Sequence, residues 1–210
     1  KAMERKLIGR PIPGFFPTPM GLIDRMVDAA DIQSGMRVLE PSAGKGDILD
    51  VIKSQQPDVE TDAIEPVGEL REILQAKGYP VVGSDVMNHV GEYDRIVMNP
   101  PFENGQDIDH VRKAFDMLKP GGKMVAIMSA GPFFRADAKA KQFREWLQVN
   151  GGTSEELDNA FAGRDAFRQT GVNTRMVVIE KDAKFTGKDG SGHCWEDGVM
   201  VPCPDEDKPA

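Results

Sequence analysis

Four consecutive residues, Asn99, Pro100, Pro101 and Phe102, carry the most chemical information in the chain. Two prolines fix the backbone and remove its amide donors, leaving carbonyls held toward a cleft. The Asn99 side-chain oxygen and the Pro100 carbonyl can both accept hydrogen bonds from one planar amino group, while Phe102 offers a face for stacking. This combination suits an exocyclic amine on a base extruded from its stack. Asn-Pro also opens ordinary turns. Here, however, the tetrapeptide follows the buried-strand pattern of Arg95 to Met98 directly, in register with a second chemical cluster upstream.

That cluster is Glu40, Pro41, Ser42, Ala43, Gly44, Lys45, Gly46 and Asp47, where a strand pattern runs into a glycine turn and then a helix. Glycines let a ligand approach the backbone, and a helix start offers free N–H groups. Lys45 is not a phosphate-loop lysine, because the spacing to an earlier glycine and the following Ser/Thr are both missing. Glu65 lies nineteen positions after Gly46, at the end of the next strand, where a carboxylate can accept from both hydroxyls of a ribose. Asp85, followed by Val86, comes after the third strand and is placed to accept from an adenine amine. Each acid alone reads as a cap or a solvated charge. In strand order together, they predict an adenosine-containing cofactor.

These residues need a scaffold that presents the ends of several strands on one side. Short apolar runs at Arg37 to Glu40, Thr61 to Ile64, Pro80 to Val82, Arg95 to Met98 and Lys123 to Met128 read as buried parallel strands. Helical patterns at Asp47 to Ser54, Val67 to Lys77, Ile108 to Leu118 and Ala136 to Val149 alternate with them, and an amphipathic helix over Met20 to Ala30 precedes them. The alternation predicts an α/β fold with a doubly wound, mostly parallel sheet. After Gly151 and Gly152 the rhythm breaks, and Glu155 to Leu157 with Met176 to Glu180 predict a terminal antiparallel hairpin flanking a loop from Asn159 to Arg175. The expected organisation is an N-terminal loop segment over 1–19, a catalytic domain over 20–181 and a weakly ordered acidic tail over 182–210.

The 210 residues, 40% hydrophobic and 29% charged, fit a globular protein of this size. No apolar run approaches the roughly 18 residues of a spanning helix, so no membrane role is expected. The first residues lack the apolar stretch of a signal peptide, predicting a cytoplasmic location. With only Cys194 and Cys203, a disulfide framework is excluded, and neither these nor His193 match a zinc spacing, so no metal is expected. Gln106, Asp107, Asp109 and His110 could wall the far side of the Asn99 loop, but Asp107 is expected to cap a helix starting at Ile108 and the others to lie on the surface.

A net charge of -8 argues against a protein coated in basic charge. The distribution is uneven. Residues 1–10 carry a net +3, the last 30 residues a net -3, and Arg135, Lys139, Lys141 and Arg144 cluster after Phe133 and Phe134. Weak, salt-sensitive binding through few phosphate contacts follows from this pattern.

The motifs resemble class I S-adenosylmethionine-dependent amino-methyltransferases, above all bacterial and phage DNA adenine N6-methyltransferases, over about Phe15 to Lys181. Phe16, Pro17, Thr18 and Pro19 look like that family's N-terminal motif, which touches the methionine end of the cofactor. Leu39 to Gly46 are similar to its methionine-binding loop, Glu65 to its ribose acid, Asp85 to its adenine-contacting acid, and Asn99 to Phe102 to its catalytic motif. The loop around Phe167 is similar to the one that helps hold a flipped base, with Arg168 and Arg135 beside the same rim. The resemblance implies a seven-stranded Rossmann-like sheet, S-adenosylmethionine as cofactor, and direct in-line methyl transfer to the N6 amine of adenine in DNA. The same chemistry on an rRNA base amine or a protein glutamine amide is the alternative, and a catalytically silent cofactor-binding subunit a further one. No separate domain remains for reading bases, so recognition is expected to be short, or supplied by a partner or second protomer.

Overall fold

The computed structural model describes residues 17–157, 173–189 and 192–203. Helix α1 spans Met20–Ala30 and buries Leu22, Ile23, Met26, Val27 and Ala30, the stripe expected from their spacing. The alternation then unfolds as β1 (Arg37–Glu40), α2 (Asp47–Gln55), β2 (Glu60–Ile64), α3 (Gly68–Ala76), β3 (Val81–Gly83), β4 (Tyr93–Met98), α4 (Gln106–Asp116), β5 (Leu118–Ser129), α5 (Ala138–Val149), β6 (Thr153–Leu157) and β7 (Thr174–Glu180).

These seven strands form one sheet in the order β3-β2-β1-β4-β5-β7-β6. The first five are parallel, whereas β7 runs antiparallel to both β5 and β6. This is the doubly wound sheet with a terminal antiparallel hairpin that the sequence predicts. Successive strand residues face opposite layers. Val97, Val125 and Ile127 join the cluster beneath α1 and α2, while Ile96, Met98, Met124, Ala126 and Met128 join the cluster containing Ile108, Val111 and Phe115 of α4 and Phe143 of α5.

Three expectations change. The fifth strand is twice the predicted length because it begins at Leu118, which pairs with Tyr93, and bulges before Lys123 regains register with Arg95. The loop predicted to reach Arg175 ends earlier, since Thr174 and Arg175 already pair within β7. The tail beyond Lys181, expected to be weakly ordered, carries a second antiparallel sheet of β8 (Gly187–Lys188), β9 (Cys194–Glu196) and β10 (Val199–Val201). Cys194 and Cys203 are joined there as a disulfide across nine positions, and Trp195 is 8% exposed with its ring nitrogen donating to Asp189 Oδ2 at 2.8 Å. A cross-link and one buried indole supply the order that the Gly- and Asp-rich composition hides.

Candidate functional site

Parallel strands deliver their carboxyl ends to one edge, and the loops leaving β1 to β4 meet there around a cavity of about 570 Å³. That volume lies within the usual range of small-molecule sites, roughly 300–1,000 Å³.

The first wall is the turn between β1 and α2. Gly44 and Gly46 adopt φ of 56° and 90°, in the left-handed region that glycine occupies without a Cβ penalty. Gly46 is doubly constrained, because a Cβ there would come within 2.9 Å of Leu74 Cδ2. The turn is held by Ala43 N–H donating to the Ile64 carbonyl at 3.0 Å and Gly44 N–H donating to Glu65 Oε2 at 2.7 Å. The other Glu65 oxygen accepts from Val67 N–H at 2.8 Å. Glu65 thus ties the turn after β1 to the one after β2, with a lone pair left on each oxygen for a ligand hydroxyl. Burial pushes its pKa up, and the two amide bonds oppose that.

Glu40 is 2% exposed at the floor of the cavity. Its pKa is driven well above the ordinary carboxylate range, first by burial and then by Asp47 and Glu65. Asp47 is raised too, mainly by burial, with Lys45 opposing at 3.5 Å. Pro41, Ser42 and Ala43 line the same wall. Asp85 lies on the rim with Val86 beneath it, and caps the turn that follows β3 by accepting from Met87 N–H at 2.9 Å and Asn88 Nδ2 at 3.0 Å.

The opposite wall is Asn99, Pro100 and Pro101. Asn99 Nδ2 donates to Thr18 Oγ1 at 3.0 Å, which joins the segment before α1 to the loop after β4. Its other amide atom, Oδ1, is buried and without a hydrogen-bond partner. Phe102 does not present the stacking face expected of it: it is 8% exposed and belongs to the cluster beneath α1. Pro19 likewise serves the helix rather than the cavity, its carbonyl accepting from Leu22 and Ile23 at the start of α1.

Two expectations about α4 are corrected. Gln106 and His110, one turn apart, line the cavity instead of facing solvent. His110 Nδ1 is buried and unpartnered, and its pKa is lowered chiefly by burial. Asp107 is not a cap preceding the helix but lies inside its first turn, fully buried, accepting from Ser129 N–H at 3.0 Å and Ser129 Oγ at 2.7 Å. It anchors α4 to the end of β5. Asp109 pairs with Lys139 at 2.7 Å. Arg135 is exposed, paired with Asp137 at 3.1 Å, and outside the cavity lining. Phe16, Phe167 and Arg168 lie outside the described residues.

The lining residues fit a ligand with hydroxyl and amine groups. Buried polar atoms normally find partners. Of those left without one among the described residues, Glu40 Oε2, Ser42 Oγ, Asn99 Oδ1 and His110 Nδ1 belong to residues lining this cavity. With Glu65 they leave polar atoms on both walls, Glu40, Ser42 and Glu65 on one and Asn99 and His110 on the other.

Residues 17–174 match the methyltransferase domain family. Over 123 residues the chain is 36% identical to the ribosomal RNA small subunit methyltransferase C of Chromohalobacter salexigens, a match covering 52% of this chain and 36% of that protein. The crystal structure of TrmN from Thermus thermophilus superimposes with a TM-score of 0.55 and 25% identity, covering 76% of this chain and 48% of that one. Coclaurine N-methyltransferase bound to N-methylheliamine and SAH shares the fold, with a TM-score of 0.59 and 12% identity over 86% of this chain and 82% of that one. The matched region thus spans less than half the length of the first two relatives.

Proposed function

The chain belongs to the methyltransferase domain family, and from that premise we propose that it transfers a methyl group from S-adenosylmethionine to the exocyclic N6 amine of adenine in DNA. The observation that carries this reading is the split role of the Asn99 amide: its nitrogen is committed to Thr18 and its oxygen is buried, unpartnered and at the cavity wall.

Bound S-adenosylmethionine supplies an electrophilic methyl on a sulfonium. Glu65 would hold the ribose, Asp85 the adenine amine, and the turn of Glu40 to Gly46 the methionine end. Asn99 Oδ1 and the Pro100 carbonyl would then accept the two N–H bonds of the target amine, fixing its lone pair and stabilising the positive charge that grows as it is methylated. The amine's proton becomes acidic only after methylation, so the site needs no strong base. Among the described residues around Asn99, the only imidazole lining the cavity is His110, which burial keeps toward its neutral form.

A second reading, an rRNA base amine as substrate, is favoured by the 36% identity to the ribosomal RNA methyltransferase. Incubating the protein with isotope-labelled S-adenosylmethionine and unmethylated DNA, rRNA or protein, then analysing nucleosides and peptides by mass spectrometry, separates the two. Labelled N6-methyldeoxyadenosine that disappears in Asn99→Ala is the expected result. Label confined to RNA or protein would refute the DNA assignment, and equal labelling by wild type and variant would refute enzymatic transfer.

A further inference from the structure

A second cluster of chemical groups lies at the other end of the parallel strands from the cavity, where the small C-terminal sheet meets the body. Glu92 sits immediately before β4, Asp189 just after β8 and His193 just before β9. His193 Nδ1 lies 3.2 Å from Glu92 Oε1 and 3.7 Å from Asp189 Oδ1, and the three ligand atoms are all within 4.8 Å of one another. We propose that Glu92, Asp189 and His193 form a zinc site that clips the C-terminal sheet onto the methyltransferase domain.

Three observations support this. Zinc bound tetrahedrally by imidazole nitrogen and carboxylate oxygen at about 2.0–2.2 Å sets neighbouring ligand atoms roughly 3.4 Å apart, close to the separations seen. Second, Glu92 Oε1 and His193 Nδ1 are buried yet form no hydrogen bond with each other or with any other described group. Two potential ligand atoms 3.2 Å apart and shielded from water are at the spacing that a shared cation would bridge. Third, the ligands are braced from behind: Asp189 Oδ1 accepts from His193 N–H at 2.9 Å and Asp189 Oδ2 from Trp195 Nε1 at 2.8 Å. Such outer contacts orient the ligands of metal sites.

Charge favours the same conclusion. Two carboxylates converge on one imidazole, and the nearby cation, Lys181, directs its Nζ to the carbonyls of Asp116 and Leu118 at 3.2 and 2.7 Å. A mixed nitrogen and oxygen donor set suits zinc better than magnesium or calcium, which prefer oxygen alone. Three protein ligands leave one position for water, and the contact joins chain segments almost a hundred positions apart.

The test uses the full chain with its disulfide intact, stripped with chelator and titrated with zinc chloride while heat and bound metal are measured. One equivalent of zinc per chain and a rise in Tm are expected for the wild type. His193→Ala and Glu92→Gln should each weaken binding at least tenfold and abolish the Tm rise, leaving S-adenosylmethionine affinity within about twofold. Glu92→Gln changes a loop side chain by one atom, so it reads the site even if His193→Ala fails to fold. Absence of stoichiometric zinc binding by the wild type, or one equivalent retained by Glu92→Gln, would overturn the proposal. Because the cofactor cavity lies at the opposite strand ends, either result is independent of whether methyl transfer is found.

Discussion

Thr18 Oγ1 accepts a hydrogen bond from Asn99 Nδ2 at 3.0 Å, so a residue from the segment before the first helix decides which way the Asn99 amide points. Without it the amide can rotate and offer its NH2 to the target amine, two donors facing each other. Asn99→Ala should lower kcat by about 10²–10³-fold, the usual cost of removing one preorganised polar group. Thr18→Val should lower kcat about tenfold with little change in KM for DNA, while Thr18→Ser keeps the hydroxyl and restores the rate. Steady-state kinetics on the three variants would reveal this ordering, and a Thr18→Ser as slow as Thr18→Val would contradict it.

Glu65 receives backbone amides from Gly44 and Val67 while lining the cavity. Replacing it with glutamine keeps the shape but removes the charge and offers an amide group where only acceptors are wanted. Affinity for S-adenosylmethionine should fall about 10- to 100-fold, the range for hydrogen bonds to a charged group. Calorimetric titration of wild type and Glu65→Gln measures it directly, and unchanged affinity would exclude a ribose-binding role.

Glu40 makes stability depend on pH. Its folded pKa is raised well above the ordinary value by burial and by Asp47 and Glu65, so the folded state holds a proton that the unfolded chain has released. Stability must therefore fall as pH climbs from the ordinary carboxylate range through the raised folded value. In Glu40→Gln that loss vanishes: the variant should match or exceed wild type in Tm near neutrality, with the difference shrinking toward acid pH. Thermal unfolding of the cofactor-free protein across this range supplies the check.

Gly46→Ala should destabilise the protein by about 1–3 kcal/mol, since alanine is strained in the left-handed region and its Cβ would lie 2.9 Å from Leu74 Cδ2. A lower Tm without a comparable loss at Gly35→Ala, where a Cβ meets nothing within 4 Å, would separate the clash from backbone strain.

Much of the sheet could be read directly from local pattern. Leu22, Ile23, Met26, Val27 and Ala30 mark their helix by spacing alone, and the cavity-lining loops after β1, β2 and β4 follow apolar runs that end where those strands end. What escaped depends on contacts distant in sequence. Asp107 looks like a helix cap until Ser129, 22 positions away, is seen to donate to it twice. His110 looks solvated unless the cavity beside α4 is known. Phe102 advertises a stacking face because an aromatic after two prolines has no local reason to turn inward, yet the layer beneath α1 absorbs it. The C-terminal strands are two or three residues each, too short for a period to register, and depend on a cross-link and on Trp195 rather than on apolar alternation.

Every described residue lining the cavity comes from Pro17 to His110, that is, from the β3-β2-β1-β4 side of the sheet and the segment leading into it. Among the described residues β5, β7 and β6 contribute none, although Asp107 and Ser129 rivet α4 to β5. That contact fixes the first turn of α4, so a strand that lines none of the cavity sets where Gln106 and His110 stand within it.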